Sequence, residues 1–495
     1  MKKIRLRFAP SPTGALHIGS LRTILFTYLI SKQLDGKFIL RIEDTDQKRT
    51  IAGSIEGIIE SLNWIGIKFD EGAGIINNSE KDIGEYGPYI QSQRLDIYKK
   101  YIDKLLENNH AYHCFCTPDR LQKMREEQQA NKLPPRYDGR CRDLNKQEIA
   151  EKLKNNDSFV IRQKIPANQE IKIYDELRGE IKFQTNDLED HVLIKSNGIP
   201  TYQFASVIDD HVMEISHVTR GEEWIPSFPK NVLLYQALDW EVPKFIHFPA
   251  VLNKNGGKLS KRDGDVAVED YRIKGYLPEV LLNFCALLGW HPKDDEEILS
   301  LEELIKKFNY KNIKPSGAIF DQDKLDYFNG YYIRNKSIEE LIELCKPYLE
   351  DDVNKTLNNQ ISSEEYIKKI VTIEQERLKK IPEIKETTKF FFTTNLEYAP
   401  ELLIWKKMET QDVKNNLEKI YNLLEKISLA NWKSKLIEEE IINYLKNNEL
   451  KIGNYLWPMR VALTGQAASP GPFDVADIIG KEESLSRIKQ AISLF

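Results

Sequence analysis

The sequence predicts an α/β fold: a parallel-sheet domain split by an α+β insertion and followed by an all-α C-terminal region. Three observations predict it. Arg7 to Ser20 reads as a strand end, a tight loop and a helix start. Between about Tyr112 and Gln203, short strands with Gly and Asn turns replace that pattern. Beyond about Tyr332 almost only helical periodicity remains, with little glycine before Gly453. A chain of 495 residues is too long for one domain.

The elements follow in order. Ile4, Leu6 and Phe8 alternate along a strand, and Arg5 and Arg7 break any apolar run that a signal peptide would need. Leu21, Ile24, Leu25, Tyr28 and Leu29 recur at helical spacing, with Gly36 as the helix stop. Phe38 to Ile42 form a buried strand that runs into acidic residues. Strand, helix, strand begins a parallel sheet, and ligands of such sheets sit at the C-terminal strand ends. His17 and Glu43 both lie at such ends, so they are expected in one pocket. Phe159 to Lys164, Glu170 to Tyr174 and His191 to Lys195 read as strands of the insertion. The sheet pattern resumes near Tyr202, with Pro226 to Leu238 helical and Phe245 to Leu252 extended. A helix from near Pro278 to Leu288 follows a basic loop, Lys258 to Arg262. There is no convincing internal repeat.

Hydrophobic residues make up 41% of the chain, enough for ordinary cores, and the net charge of −5 is mild. Nucleic-acid binding needs only a basic contact face, so this charge neither supports nor excludes it. Five cysteines, an odd number without a secretion signal, predict a reducing, cytoplasmic setting. No apolar stretch is long enough to span a bilayer.

The loop before the first helix is suited to phosphate. A helix N-terminus presents unpaired N–H groups and partial positive charge. Gly19 lets the backbone approach closely, and His17 can donate to phosphate oxygens. Far downstream, Lys258-Leu259-Ser260-Lys261-Arg262 can supply cations to the same phosphates. Alone, His17 would read as a capping or core histidine, and the basic stretch as a solvated turn. Both motifs in this order favour function.

Together these motifs resemble the two signatures of the class I aminoacyl-tRNA synthetases. The wording of the first, with Ser20 in place of a final histidine, is similar to that of the bacterial-type glutamyl-tRNA synthetase branch. The resemblance continues through Arg41–Asp46, Pro200–Tyr202, Arg220–Trp224 and Pro458–Gly480. It implies a class I Rossmann-like nucleotide-binding domain over 1–110 and 204–263, with the basic loop in its second half. An acceptor-end-binding insertion over 111–203 splits it. A stem-contact region over 264–335 and helical anticodon-binding subdomains over 336–396 and 397–495 follow. The implied activity is glutamate–tRNA ligation, with ATP and Mg²⁺. Glutamate attacks the α-phosphate, and the adenylate then passes its acyl group to the 3′ end of tRNA(Glu). Relaxed members also charge tRNA(Gln), members are commonly monomers, and tRNA is generally required before the first step.

The resemblance carries roles over residue by residue. His17, Gly19, Lys258 and Lys261 are the implied catalytic set, with Lys261 stabilising the leaving pyrophosphate. Glutamate has two carboxylates and one ammonium, so its pocket needs two cationic forks and an acid; arginine suits the forks. Arg7 and Arg220 take those places, Glu43 the ammonium, and Tyr202 the side-chain carboxylate. Ala9 and Ser11 offer backbone or hydroxyl contacts, and Ser206 falls where some relatives carry asparagine. Glu223, Trp224 and Ser260 join His17, Gly19 and Lys261 around ATP, although a tryptophan there can equally fill core space. Arg377 falls where a basic anticodon contact is expected. Trp457, Pro458, Arg460 and Gly465 match the C-terminal signature, for packing as much as for RNA. Cys114, Cys116 and Cys141 match a structural zinc spacing of some members, with Asp143 where those carry histidine; three reduced thiols are the alternative. Cys285 and Cys345 read as core.

Other readings fare worse. A glutaminyl enzyme would have a β-barrel anticodon part, and a short paralogue that glutamylates a tRNA base lacks the helical half. An inactive RNA-binding relative would lack one of His17, Gly19, Lys261 or Arg7. An unrelated nucleotidyltransferase would not explain an acid-binding pocket with so long an extension.

Overall fold

The computed structural model of the chain describes residues 3–76, 79–260, 264, 266–356, 363–393 and 395–495. They form two compact units. One comprises Met1–Ile273 and Pro278–Gln322; the other comprises Lys274–Leu277 and Asp323–Phe495.

In the first unit the strands used below are β1 (Arg5–Phe8), β2 (Lys37–Leu40), β3 (Glu71–Ile76), β4 (Ser79–Ile83), β5 (Ala111–Cys114), β6 (Val160–Gln163), β7 (Glu170–Asp175), β8 (Gly179–Gln184), β9 (Val192–Ile194), β10 (His217–Gly221) and β11 (Lys244–Phe248). The helices used below are α1 (Ile18–Gln33), α2 (Ser54–Trp64), α3 (Leu95–Glu107), α4 (Pro118–Ala130), α5 (Lys146–Lys154), α6 (Tyr202–Val212) and α7 (Phe228–Ala237). Eight strands make one sheet in the order β4-β3-β2-β1-β10-β11-β7-β8. Its six central strands are parallel, and β4 and β8 close the two edges antiparallel. From β1 the chain turns to β2 on one side and returns to β10 on the other. The order therefore reverses between β1 and β10, which opens a crevice at their C-terminal ends.

The core explains the local choices. Leu21, Ile24, Leu25, Phe26, Leu29 and Ile30 of α1 are fully buried, at roughly 1.5–3 kcal/mol each. The helix ends at Gln33, short of Gly36. Gly36 serves a close approach instead: a Cβ there would stand 2.6 Å from Ile4 Cγ2. Strand β1 is buried on both faces, because Arg5 and Arg7 point inward as ion pairs rather than outward to water.

The expected insertion is only partly separate. Strands β5, β6 and β9 form their own antiparallel sheet, beside α4 and α5, the latter closed by an Asn145–Glu148 capping box. Strands β7 and β8 instead join the main sheet, where Asp175 is in register with Phe245 of β11. The alternation along β7 shows why: Ile171, Ile173 and Asp175 are buried, and the residues between them are exposed.

The second unit contains no strand among its described residues. Helices Ile338–Thr356, Thr410–Lys426, Ser434–Asn447, Gly453–Thr464 and Lys481–Ile492 pack through residues such as Leu341, Val413, Leu417, Ile441 and Ile488, all fully buried. This unit also takes in Asp323 to Asn335, which the sequence reading assigns to the stem-contact region. No helix of the described residues is long and apolar enough to cross a membrane.

Candidate active site

The crevice between β1 and β10 is a cleft of about 710 Å³. Arg7, Ala9, Ser11, His17, Gly19, Glu43, Tyr202, Arg220, Glu223, Trp224 and Lys258 all line it. The structure thus brings eleven of the expected residues together from five separated stretches. Lys261 and Arg262 lie outside the described residues, and Ser260 does not line the cleft.

His17 is the N-cap of α1. Its Nδ1 accepts the Gly19 N–H at 2.9 Å, which leaves the ring proton on Nε2 as a donor. A Cβ on Gly19 would stand 3.3 Å from that Nδ1. The glycine therefore keeps this cap tight and adds no side chain over the helix end. The chain on either side of His17 is stapled to the chain after the basic loop: Ile18 N–H donates to Val266 O at 2.7 Å, and Val268 N–H to Leu16 O at 2.8 Å. The loop's other stem is a hairpin, with Leu259 N–H on Val251 O at 2.9 Å. Lys258 pairs with Glu223 at 3.3 Å, both side chains well exposed.

The floor of the cleft is an ion network that the sequence reading missed. Arg7 is buried, and it donates through Nε and Nη2 to Asp210 at 2.9 and 3.3 Å and through Nη1 to Thr219 O at 3.1 Å. Two of its five N–H groups remain for a ligand. Asp210 also accepts from Arg41 at 2.8 Å, and Arg41 donates in turn to Glu43 Oε1 at 2.9 Å. Ser206 lies within 3.4 Å of Arg41 rather than in the cleft lining. Asp209 neutralises Arg94 at 2.7 Å and accepts from Tyr98 and Gln91, each at 2.9 Å. Burial raises the Glu43 carboxyl to about 7, against the pull of Arg41 and Arg7. Its Oε2 has no hydrogen-bond partner.

Arg220, at the end of β10, is buried and held differently. Its Nε donates to His247 Nε2 at 2.9 Å, and its Nη2 has no hydrogen-bond partner. Burial draws its pKa down, and Tyr202 beside it opposes that shift. Tyr202 stacks on Trp224 with ring centroids 4.5 Å apart. Trp224 therefore both lines the cleft and props Tyr202.

The cysteine cluster stands apart from this cleft. The Sγ atoms of Cys114, Cys116 and Cys141 lie within 4.8 Å of one another. Cys116 and Cys141 are 3.6 Å apart, close to the spacing of thiolates about a tetrahedral zinc. Asp143 is not with them: its side chain is 84% exposed and pairs with Lys164. The Tyr137 hydroxyl stands in that corner instead, 3.3 Å from Cys114 and 3.6 Å from Cys116. Residue 143 follows Cys141 out of the buried turn, whereas Tyr137 packs into it. Hydrogen bonds from Cys141 and Tyr137 draw the Cys114 thiol down, and the same contact pushes the Cys141 thiol up, so the two sulfurs compete for one proton.

In the second unit, Arg377 is a third exposed. It pairs with buried Glu374 at 3.3 Å and donates to Ser469 O at 3.0 Å. Arg460 reaches the same carbonyl at 3.1 Å. Trp457 is a packing residue, donating to Leu402 O at 2.9 Å and stacking on Trp405. Gly465 caps its helix in the left-handed region, φ 69°.

Residues 3–327 match the family model described as tRNA synthetases class I (E and Q), catalytic domain, and residues 340–492 match an anticodon binding domain. The chain is 45% identical over 492 residues to a glutamate–tRNA ligase of Clostridium botulinum (strain Hall), covering 99% of this chain and 98% of that one. It is 43% identical over 493 residues to that of Alkaliphilus metalliredigens, covering 99% of each. Among solved structures, a glutamate tRNA ligase from Elizabethkingia meningosepticum in complex with its amino acid is similar, with a TM-score of 0.88 and 37% identity over 99% of both chains.

Proposed function

The chain belongs to the class I tRNA synthetases of the E and Q family, and from that premise we propose how its cleft performs glutamate–tRNA ligation. One observation carries the proposal. Two opposite, buried groups of the same cleft each keep an atom without a protein partner: Glu43 Oε2 and Arg220 Nη2. Glu43 Oε2 receives the substrate ammonium, and Arg220 with Tyr202 receives the side-chain carboxylate. The spare N–H groups of Arg7, with Ala9 and Ser11, hold the remaining polar atoms. Charge counting supports this reading. Arg7 and Arg41 are matched by Asp210 and Glu43, whereas Arg220 has no carboxylate against it, and the glutamate side chain brings one.

ATP lies with its phosphates on the α1 N-terminus, where Gly19 adds no side chain to block their approach and His17 Nε2–H donates. Trp224 flanks the adenosine. Magnesium, when bound with ATP, screens the phosphate charge; Asp46 and Glu223 in the cleft lining are the oxygen donors that such a hard ion takes. The substrate carboxylate attacks the α-phosphate in line, and Lys258, Lys261 and Ser260 stabilise the leaving pyrophosphate. The insertion, 111–203, takes the acceptor end, residues 264–335 the stem, and the helical region the anticodon, with Arg377 among its contacts. A structural zinc would be held by the thiolates of Cys114, Cys116 and Cys141, and would link β5 to the 137–141 turn. The enzyme works as a monomer in the cytoplasm, and its five free thiols accord with a reducing compartment.

Charging with labelled glutamate and ATP tests the function, with tRNA(Glu) and tRNA(Gln) in separate tubes. Charge on tRNA(Glu) alone marks a discriminating enzyme, and charge on both a relaxed one. Charge on neither, from folded protein, would overturn the reading.

The Glu43 role has a pH signature. Its carboxyl must be ionised to hold an ammonium, and burial keeps it up at about 7 in the free protein. kcat/KM for glutamate should therefore rise between about pH 6 and pH 8 and level off above, since this ratio reports the free enzyme. Glu43→Gln should lower it and flatten that limb. An unchanged limb in the variant would remove Glu43 from this role.

A further inference from the structure

Behind Arg220 stands a buried chain that the activity so far leaves unused. Arg220 Nε donates to His247 Nε2 at 2.9 Å, so that nitrogen carries a lone pair and the imidazole is neutral. The ring proton sits on Nδ1 and donates to Asp175 Oδ2 at 2.8 Å. Asp175 is fully engaged elsewhere: it also accepts the backbone N–H groups of His247, Leu177 and Arg178, each at 3.0 Å. His247 and Asp175 are both 0% exposed. The contrast with the neighbouring arginines is sharp. Arg7 and Arg41 each rest against a carboxylate that neutralises them, whereas Arg220 is held by a neutral ring and by the faces of Phe228 and Phe245, 5.7 and 5.2 Å away.

We propose that His247, oriented by Asp175, is a positioning residue that anchors Arg220 by its Nε while leaving its positive charge uncompensated. The pair thereby sets the preference for an anionic side chain over its neutral amide isostere. A carboxylate in the place of His247 would also accept from Arg220 Nε, but it would have no proton for Asp175 and would spend the charge that the substrate is meant to meet. The inference rests on the assignment of Arg220 to the side-chain carboxylate. It adds a specificity role for a residue of β11 and for one of β7, the strand that the insertion contributes to the main sheet.

The test is ATP–pyrophosphate exchange by the full chain with tRNA(Glu) present, reading the KM for glutamate, the KM for ATP and the inhibition constant of glutamine. Arg220→Ala, His247→Gln, His247→Glu and His247→Ala are compared, each with a melting curve. Glutamine at 247 can accept from Arg220 and donate to Asp175, so H247Q should stay within about threefold of the parent in every constant. H247E should raise the KM for glutamate by about 30-fold or more, with glutamine and ATP constants moving less than about threefold. If glutamate and glutamine weaken equally in H247E, the role is structural and the proposal falls. If R220A raises the glutamate KM but H247E does not, the proposal also falls while the pocket assignment stands. If R220A leaves that KM unchanged, the pocket assignment itself is wrong. Should H247E lose its native melting transition, H247A replaces it: a raised glutamate KM restored in H247Q supports the proposal, and an unchanged one overturns it.

Discussion

Replacing Arg220 by alanine should nearly abolish glutamate activation while sparing ATP binding. The guanidinium is buried and, unlike those of Arg7 and Arg41, has no carboxylate against it. Removing one side of a buried, hydrogen-bonded charge pair costs about 2–5 kcal/mol, so the KM for glutamate should rise by roughly 30- to 4000-fold. The KM for ATP should hold, because the α1 N-terminus and His17 are untouched. Lysine should not rescue the loss: a single ammonium cannot donate to His247 and also present a planar donor pair. Steady-state exchange assays at varied glutamate check this, and equal rises for glutamate and ATP would count against it.

The second large effect belongs to Lys261. The residue lies outside the described residues, but its loop is fixed at both ends. The Val251–Leu259 hairpin holds one stem, and the Leu16–Val268 pairing holds the other directly beside His17. A cation in such a loop acts on charge that develops as pyrophosphate departs, so it contributes to the transition state more than to the ground state. Lys261→Ala should slow adenylate formation by about 10²–10³ and leave the KM for glutamate within about threefold. Rapid-quench measurement of adenylate separates the two quantities. A matched rise in KM would mean that the lysine binds substrate rather than stabilising departure.

The sequence made the cleft legible because its residues sit in contiguous, unusual wording at strand ends. His17 and Gly19, Glu43 after the Arg41-Ile42 strand end, and Arg220 before Glu223 and Trp224 all reach one cleft. The supporting charges were less legible. Asp210 lies eight positions beyond Tyr202 on α6, and nothing in a helical acidic pair foretells that it turns inward to Arg7 and Arg41. Arg5 was read only as a break in an apolar run and Arg7 only as a substrate fork; the packing of the sheet on both sides also forces each into an ion pair. His247 sat in an extended run read for its apolar neighbours, and its partner Asp175 comes from a segment assigned to the insertion. Tyr137 took the place expected of Asp143 because a turn's geometry, not its spacing, decides which side chain points into a cysteine cluster. Gly36 was read as a stop signal when its real constraint is the approach of Ile4. These misses share one cause: each depends on contacts between residues distant in sequence.

The most direct test is a crystal structure of the full chain with L-glutamate bound. The account predicts the side-chain carboxylate on Arg220 Nη2 and Tyr202 and the ammonium on Glu43 Oε2, with Arg220 still donating to a neutral His247. A glutamate bound with its side-chain carboxylate away from Arg220, or with its ammonium away from Glu43, would contradict it.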